Sequence, residues 1–154
     1  MTELPVQNPA LVLEDFLPYR LNRLADLVSR DFSRLYKDRH GMTRPEWRVL
    51  ASLGQFHKAT ASDIVAHSAQ HKTKVSRAVA ALEKRGWLVR ETDESDRRSE
   101  HLTLTKAGQR AYGELAPLAR RYEEVFLSRL TPRERDVIRA GLDAMEKGAG
   151  AKPA

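Results

Sequence analysis

The sequence predicts a mostly α-helical protein that carries one small β-hairpin. Three observations predict it. Apolar residues recur at spacings of three and four through most of the chain, the period of amphipathic helices. That period gives way only once, between residues 88 and 105, to the alternation of paired strands. Helix-start signals, a Thr followed three residues on by an acid, stand at Thr43, Thr60 and Thr131. With 154 residues the chain has room for one core domain and flanking interface helices, not for two large independent domains.

Each element follows from its residues. Leu17, Leu21, Leu24, Val28, Phe32 and Leu35 form one stripe, so a long helix is expected, with Pro18 near its start and Gly41 at its end. Thr43-Arg44-Pro45-Glu46 has the form of a capping box and opens a helix that turns Trp47, Leu50 and Leu53 inward and stops around Gly54. Thr60-Ala61-Ser62-Asp63 opens a short helix with Ile64 and Val65. After a turn near Ser68-Ala69-Gln70, a helix from about His71 to Arg85 packs Val75, Val79 and Leu82, and Gly86 ends it. Leu88–Thr92 and His101–Thr105 are the strands, joined by a charged loop from Asp93 to Glu100. Ala107, Ala111, Leu115, Leu118, Tyr122, Phe126 and Leu130 form a second long stripe with a bend at Pro117. Thr131-Pro132-Arg133-Glu134 opens a last helix with Ile138, Leu142 and Met145. The expected divisions are an arm over 1–10, a helix over 11–40, a central unit over 43–105, helices over 106–147 and a flexible tail over 148–154.

Charge is the next clue. Lys and Arg number 27 against 21 Asp and Glu, a net +6, with a pI near 9.8. Between residues 71 and 90 stand Lys72, Lys74, Arg77, Lys84, Arg85 and Arg90, with Glu83 the sole acid. Such a concentration favours a polyanionic partner. There is no cysteine, which excludes disulfides, thiolate zinc sites, cysteine nucleophiles and thiol-based sensing. No leader-like start and no long apolar run stand in the sequence, so a cytoplasmic protein without membrane contact is expected.

Three short helices followed by a two-stranded ribbon describe a winged helix-turn-helix, whose second motif helix suits the major groove of double-stranded DNA. On the helix from His71, Lys72, Thr73, Ser76, Arg77 and Lys84 lie largely away from the apolar face. Arg77 has the fork to read guanine, whereas Lys72, Lys74 and Lys84 suit phosphates. The backbone N–H groups of Ala61 and Ser62, at a helix N-terminus, are further phosphate donors. Arg97 and Arg98 in the hairpin loop suit a narrow minor groove, with Asp96 orienting an arginine. The competing reading of the loop is a solvated turn.

Asp96-Arg97-Arg98-Ser99 followed by Leu102-Thr103-Leu104-Thr105-Lys106-Ala107-Gly108 resembles the wing signature of the MarR family of transcriptional regulators. Lys72-Thr73-Lys74-Val75-Ser76-Arg77-Ala78-Val79 with Leu82-Glu83-Lys84-Arg85-Gly86 is similar to that family's recognition helix, and Thr43-Arg44-Pro45-Glu46-Trp47 to the start of its second helix. The resemblance spans about Leu11 to Met145 and implies a homodimer with interleaved terminal helices on a pseudo-palindromic site. It also implies repression relieved by a small anionic aromatic effector, with Arg98 as the minor-groove arginine and Asp96 as its partner. His71 stands where the family often has an acid. The segment Asp15 to Leu24 resembles a subgroup tied to aromatic acids or aromatic acyl-CoA thioesters. On that resemblance Arg20 or Arg23 would meet a carboxylate or phosphate, and Tyr19 and Trp47 would wall a ring. The alternatives are a core role for Trp47 and solvated or dimer-seam arginines.

Other classes fit less well. No Gly-rich phosphate loop, His-Glu-x-x-His or Gly-x-Ser-x-Gly motif is present, so no enzyme and no cofactor is expected. His67 and His71, four apart, are separated by the expected turn, and no metal site is expected. A nonspecific architectural DNA binder would share the charge but would not need terminal helices whose apolar stripes exceed what a small domain can bury, and those stripes call for a partner chain. A winged domain used only for protein contact is disfavoured by the cations from Lys72 to Arg85.

Overall fold

The computed structural model describes residues 9–150. A short 3-10 helix, Leu13–Asp15, precedes α1 (Leu17–His40) and α2 (Arg44–Phe56). There follow β1 (Lys58–Ala59), α3 (Ala61–Ser68), α4 (Lys72–Lys84), β2 (Leu88–Thr92), β3 (Glu100–Leu104), α5 (Lys106–Leu127) and α6 (Pro132–Gly148). The mostly helical class is as expected. The expected arm lies outside the described residues up to residue 8, as does the expected tail from 151. Gly148, placed in that tail, ends α6 instead.

The sheet corrects one expectation. It is not a bare hairpin but has three strands in the order β1-β3-β2. Lys58 pairs with Thr103 and Ala59 with Leu102, while β2 pairs antiparallel to β3 from Leu88↔Leu104 to Thr92↔Glu100. A strand of two residues has no alternation to read, so its sequence carries no signal.

The core sits between the winged part and one end of each long helix. Tyr36, Val49, Leu50, Leu53, Ile64, Val75, Val79, Leu82, Leu88, Leu102 and Leu115 are buried, and Phe32, Trp47, Trp87 and Tyr112 pack against them. Each fully buried Leu, Ile or Val contributes about 1.5–3 kcal/mol relative to exposure. The stripe expected on α4 is buried in full, with Ala78 added. The stripe on α1 divides. Val28, Phe32 and Leu35 are half-buried and Tyr36 fully so, whereas Leu17, Leu21 and Leu24 are exposed. On α6 nothing is buried.

Local signals are used in two ways. Thr60 and Asp63 form a reciprocal capping box, with Asp63 N–H donating to Thr60 Oγ1 (3.1 Å) and Thr60 N–H to Asp63 Oδ2 (2.8 Å). Thr131 and Glu134 do the same (3.3 and 2.8 Å). Thr43 accepts from Glu46 N–H (3.4 Å), but the box expected there does not close, because Glu46 turns its carboxylate to Arg85, 3.6 Å away. Gly54 does not stop α2, which runs on to Phe56. A Cβ at Gly54 would stand 2.6 Å from the Tyr112 ring, so this glycine exists for the packing of α5 on α2.

Candidate nucleic-acid interface

The turn between α3 and α4 is built without glycine. Ala69 takes the left-handed conformation (φ 51°) that closes α3. His71 then caps α4, its Nδ1 accepting from Thr73 N–H at 3.2 Å. The acceptor that closes the first turn of α4 is thus an imidazole nitrogen, at the position where an acid was the expected residue. His67 turns instead to Phe56, ring edge to face at 4.8 Å. Among the described residues no group of three or more His, Cys, Asp or Glu is placed to hold a metal ion.

α4 presents two faces. Val75, Ala78, Val79 and Leu82 are buried; Lys72, Thr73, Lys74, Ser76, Arg77 and Lys84 are all exposed. The six cations singled out between residues 71 and 90 now separate. Arg90 donates to Glu83 Oε2 (2.9 Å) and to Glu100 Oε2 (3.4 Å), tying α4 to both long strands. Arg85 folds inward toward Glu46 and the end of α1. Among the described residues, no ion pair engages Lys72, Lys74, Arg77, Lys84, Arg97 or Arg98. Sequence reasoning missed the inward roles of Arg85 and Arg90. A lone acid among six cations was the available signal, since Glu83 had to neutralise one of them.

At the start of α3, Ser62 is exposed beside Ala61. An anion already sits there. The hydrogen bonds from Thr60 hold the Asp63 carboxyl below its ordinary pKa, so it is charged at neutral pH.

The wing loop is ordered by its acids. Asp93 accepts from Ser95 N–H (3.0 Å) and Oγ–H (2.7 Å) and lies 3.1 Å from His101 Nε2. The Ser95 hydrogen bonds, with a smaller contribution from His101, lower its pKa to about 2. Asp96 accepts from the backbone N–H of Arg98 (3.0 Å) and from Ser99 Oγ–H (3.3 Å). Asp96, expected to orient an arginine, thus meets Arg98 through its backbone N–H. Arg97 and Arg98 are exposed at the tip.

The strand-to-helix joint explains the Leu-Thr-x-x-Gly signature. Thr105 N–H donates to Trp87 O (3.0 Å), and its hydroxyl donates to Gly86 O (2.6 Å) while accepting from Gly108 N–H (3.1 Å). One threonine caps α5 and fastens it to the chain entering β2.

The residues expected to meet an effector are only partly brought together. Tyr19, Arg20 and Arg23 line an exposed groove of about 440 Å³ with Leu17, Leu21, Leu24 and Leu27. Tyr19 and Arg23 also line a neighbouring cleft of about 390 Å³ with Asp26 and Arg30. A larger groove of about 620 Å³ between α1 and α2 shares Asp26 and Arg30 and adds Tyr36, Lys37 and Arg44. Burial raises the pKa of the Tyr36 phenol. Trp47 lines none of these. It stacks on Tyr36 (centroids 5.9 Å, 11° between planes) and meets Phe32 edge-on at 5.4 Å, within the core.

Comparison with known proteins adds four findings. A model described as MarR family matches residues 40–99. The transcriptional repressor MprA of Escherichia coli strain K12 is 29% identical over 133 residues, 81% of this chain and 75% of that protein. Among solved structures, a MarR-family transcriptional regulator from Silicibacter pomeroyi superposes with a TM-score of 0.74 at 26% identity, covering 91% of this chain and 96% of that one. Bordetella bronchiseptica BpsR, whose DNA binding is regulated by 6-hydroxynicotinic acid, shares the fold at a TM-score of 0.78 and 23% identity, over 90% of this chain and 98% of that one.

Proposed function

From the premise these comparisons support, a MarR-family winged-helix transcriptional regulator that binds DNA, we propose that the chain works as a homodimeric repressor released by a small anionic aromatic effector. The observation that carries the reading is the sorting of charge. Arg85 and Arg90 are tied to acids of the fold, while Lys72, Lys74, Arg77 and Lys84 on α4 and Arg97 and Arg98 on the wing face solvent and form no ion pair among the described residues. Unpaired cations on one helix and one adjacent loop suit a phosphate backbone.

In the reading we favour, α4 lies in the major groove, where Arg77 pairs with a guanine and Thr73 and Ser76 meet base edges. Lys72, Lys74 and Lys84 take phosphates, with the Ala61 and Ser62 N–H groups as further donors. Arg98, beside Arg97 and steadied by Asp96, enters the minor groove. The exposed apolar faces of α1, α5 and α6 pair with a second copy, so that two recognition helices stand about 34 Å apart, one duplex turn. The effector lies in the linked grooves along α1. There Arg23, Arg30 and Lys37 supply charge, Arg44 being held by Asp26 at 3.2 Å, with Arg20 on the flanking groove, and Tyr19 and Tyr36 supply aromatic walls. A hundredfold loss of DNA affinity requires the effector to favour the mismatched spacing by about 2.7 kcal/mol.

The test starts from duplexes selected out of genomic fragments and titrated by fluorescence anisotropy, with and without aromatic acids and their CoA esters. Arg98→Ala is expected to weaken binding by about 1–3 kcal/mol; equal affinities would remove Arg98 from the interface. Lys74→Ala is expected to weaken binding to all duplexes alike and to reduce the slope of log K against log salt by about one. An unchanged slope would mean that Lys74 touches no phosphate. Binding that no aromatic acid relieves would leave a regulator without the proposed effector class.

A further inference from the structure

We propose that Arg85 is a positioning residue for duplex recognition: it locks the exit of the recognition helix to the end of the dimer helix, so that the spacing of the two α4 helices follows α1. The inference rests on the reading of the chain as a DNA-binding dimer and deepens it.

Arg85 is the first residue past α4, and its guanidinium is spent inward. Nη1 donates to His40 O at 2.5 Å and Nη2 to Gly41 O at 3.1 Å. These carbonyls end α1, where the helix leaves acceptors without partners and its dipole favours a cation. Nη2 also lies 3.6 Å from Glu46 Oε2 in the first turn of α2. That oxygen is buried and has no hydrogen-bond partner among the described residues, so Arg85 is the counter-charge beside it. The guanidinium carbon sits 5.1 Å from the centroid of the Trp87 ring, within cation–π range. Trp87 in turn meets His40 edge-on at 5.2 Å. One side chain therefore joins the end of α1, the start of α2, the end of α4 and the approach to β2.

Only a planar fork does all of this. A lysine reaches one carbonyl or the carboxylate as a point charge, but it cannot span two carbonyls while stacking on an indole. The rest of α4 does not depend on the clamp. Val75, Val79 and Leu82 hold it on α2 and α3. Without Arg85 the helix stays folded but loses its fixed angle to α1. The same commitment removes Arg85 from the phosphate-facing cations, although it continues their run in sequence.

The test exploits the absence of cysteine from the chain. Ala80 is exposed on α4, so Ala80→Cys carries a single spin label per protomer, and pulsed dipolar spectroscopy reads the distance between the two recognition helices. Duplex affinity and its salt slope are measured on the unlabelled proteins, and melting temperature on both. Arg85→Lys is expected to broaden the distance distribution and to weaken binding about tenfold, with the salt slope unchanged because no phosphate contact is lost. Arg85→Ala is expected to exceed it, and Arg85→Lys, which keeps the charge, carries the test if Arg85→Ala does not fold. A purely structural role would lower the melting temperature and leave the distance distribution of the folded dimer alone. That outcome, affinities within twofold, or a slope reduced by about one would each overturn the proposal. Absence of any dipolar signal in the Ala80→Cys protein with Arg85 intact would instead sink the dimer reading beneath it.

Discussion

Gly108→Ala is expected to lower the melting temperature by about 10 °C, roughly 3 kcal/mol for a protein of this size. Gly108 is buried in the first turn of α5, and a Cβ there would stand 2.0 Å from Trp87 O and 2.9 Å from its carbonyl carbon. No rotamer relieves that overlap, since both partners are backbone. Trp87 O also accepts from Thr105 N–H, so moving it away breaks the bond that fastens α5 to the chain entering β2. Gly113 on the same helix is the internal control. Nothing lies within 4 Å of a Cβ built there, and Gly113→Ala should stabilise by about 0.5–1 kcal/mol through helix propensity alone. Thermal unfolding of both variants at one protein concentration checks the pair. Equal melting temperatures would mean that α5 does not seat on Trp87 in this way.

Leu24→Asp is expected to convert the proposed homodimer to a monomer and to abolish measurable binding to a duplex with two half-sites. Leu24 is 56% exposed in the single chain, and Leu17, Leu21 and Leu27 beside it are exposed as well. It lines both the groove toward Tyr122, Val125 and Phe126 and the one toward Tyr19 and Arg23. In a symmetric interface the substitution appears twice. Each copy forgoes about 1.5–3 kcal/mol of apolar burial and brings a carboxylate into a seam without a partner. Sedimentation should then report a particle near 17.5 kDa rather than twice that. A variant that still sediments as a dimer would place the interface elsewhere.

How far the chain could be read in advance depended on whether the relevant physics was local. Val75, Val79 and Leu82 declare their face by spacing, and the structure buries all three. The capping boxes at Thr60 and Thr131 close because both partners lie within one turn. The box at Thr43 fails because a charge from 39 residues away, Arg85, competes for Glu46 more strongly than the cap does. Gly54 has the look of a helix stop, but a ring from α5 determines its identity. The cationic segment is visible as composition, yet which cations are spent internally is set by side chains converging from separate elements. Trp47 shows the same limit. Its place among Phe32 and Tyr36 depends on where α1 crosses α2, and that crossing separates it from Tyr19 and the arginines of α1.

The brief strand β1 has a mechanical consequence. By bonding to β3 at Lys58 and Ala59, it stitches the root of the hairpin to the linker between α2 and α3. The arm bearing Arg97 and Arg98 is thereby denied a private hinge and swings only together with the helices it is sewn to. In the proposed regulator, a tilt of the long helices would therefore be delivered through a stiff paddle, with the arginine tips sweeping the longest arc.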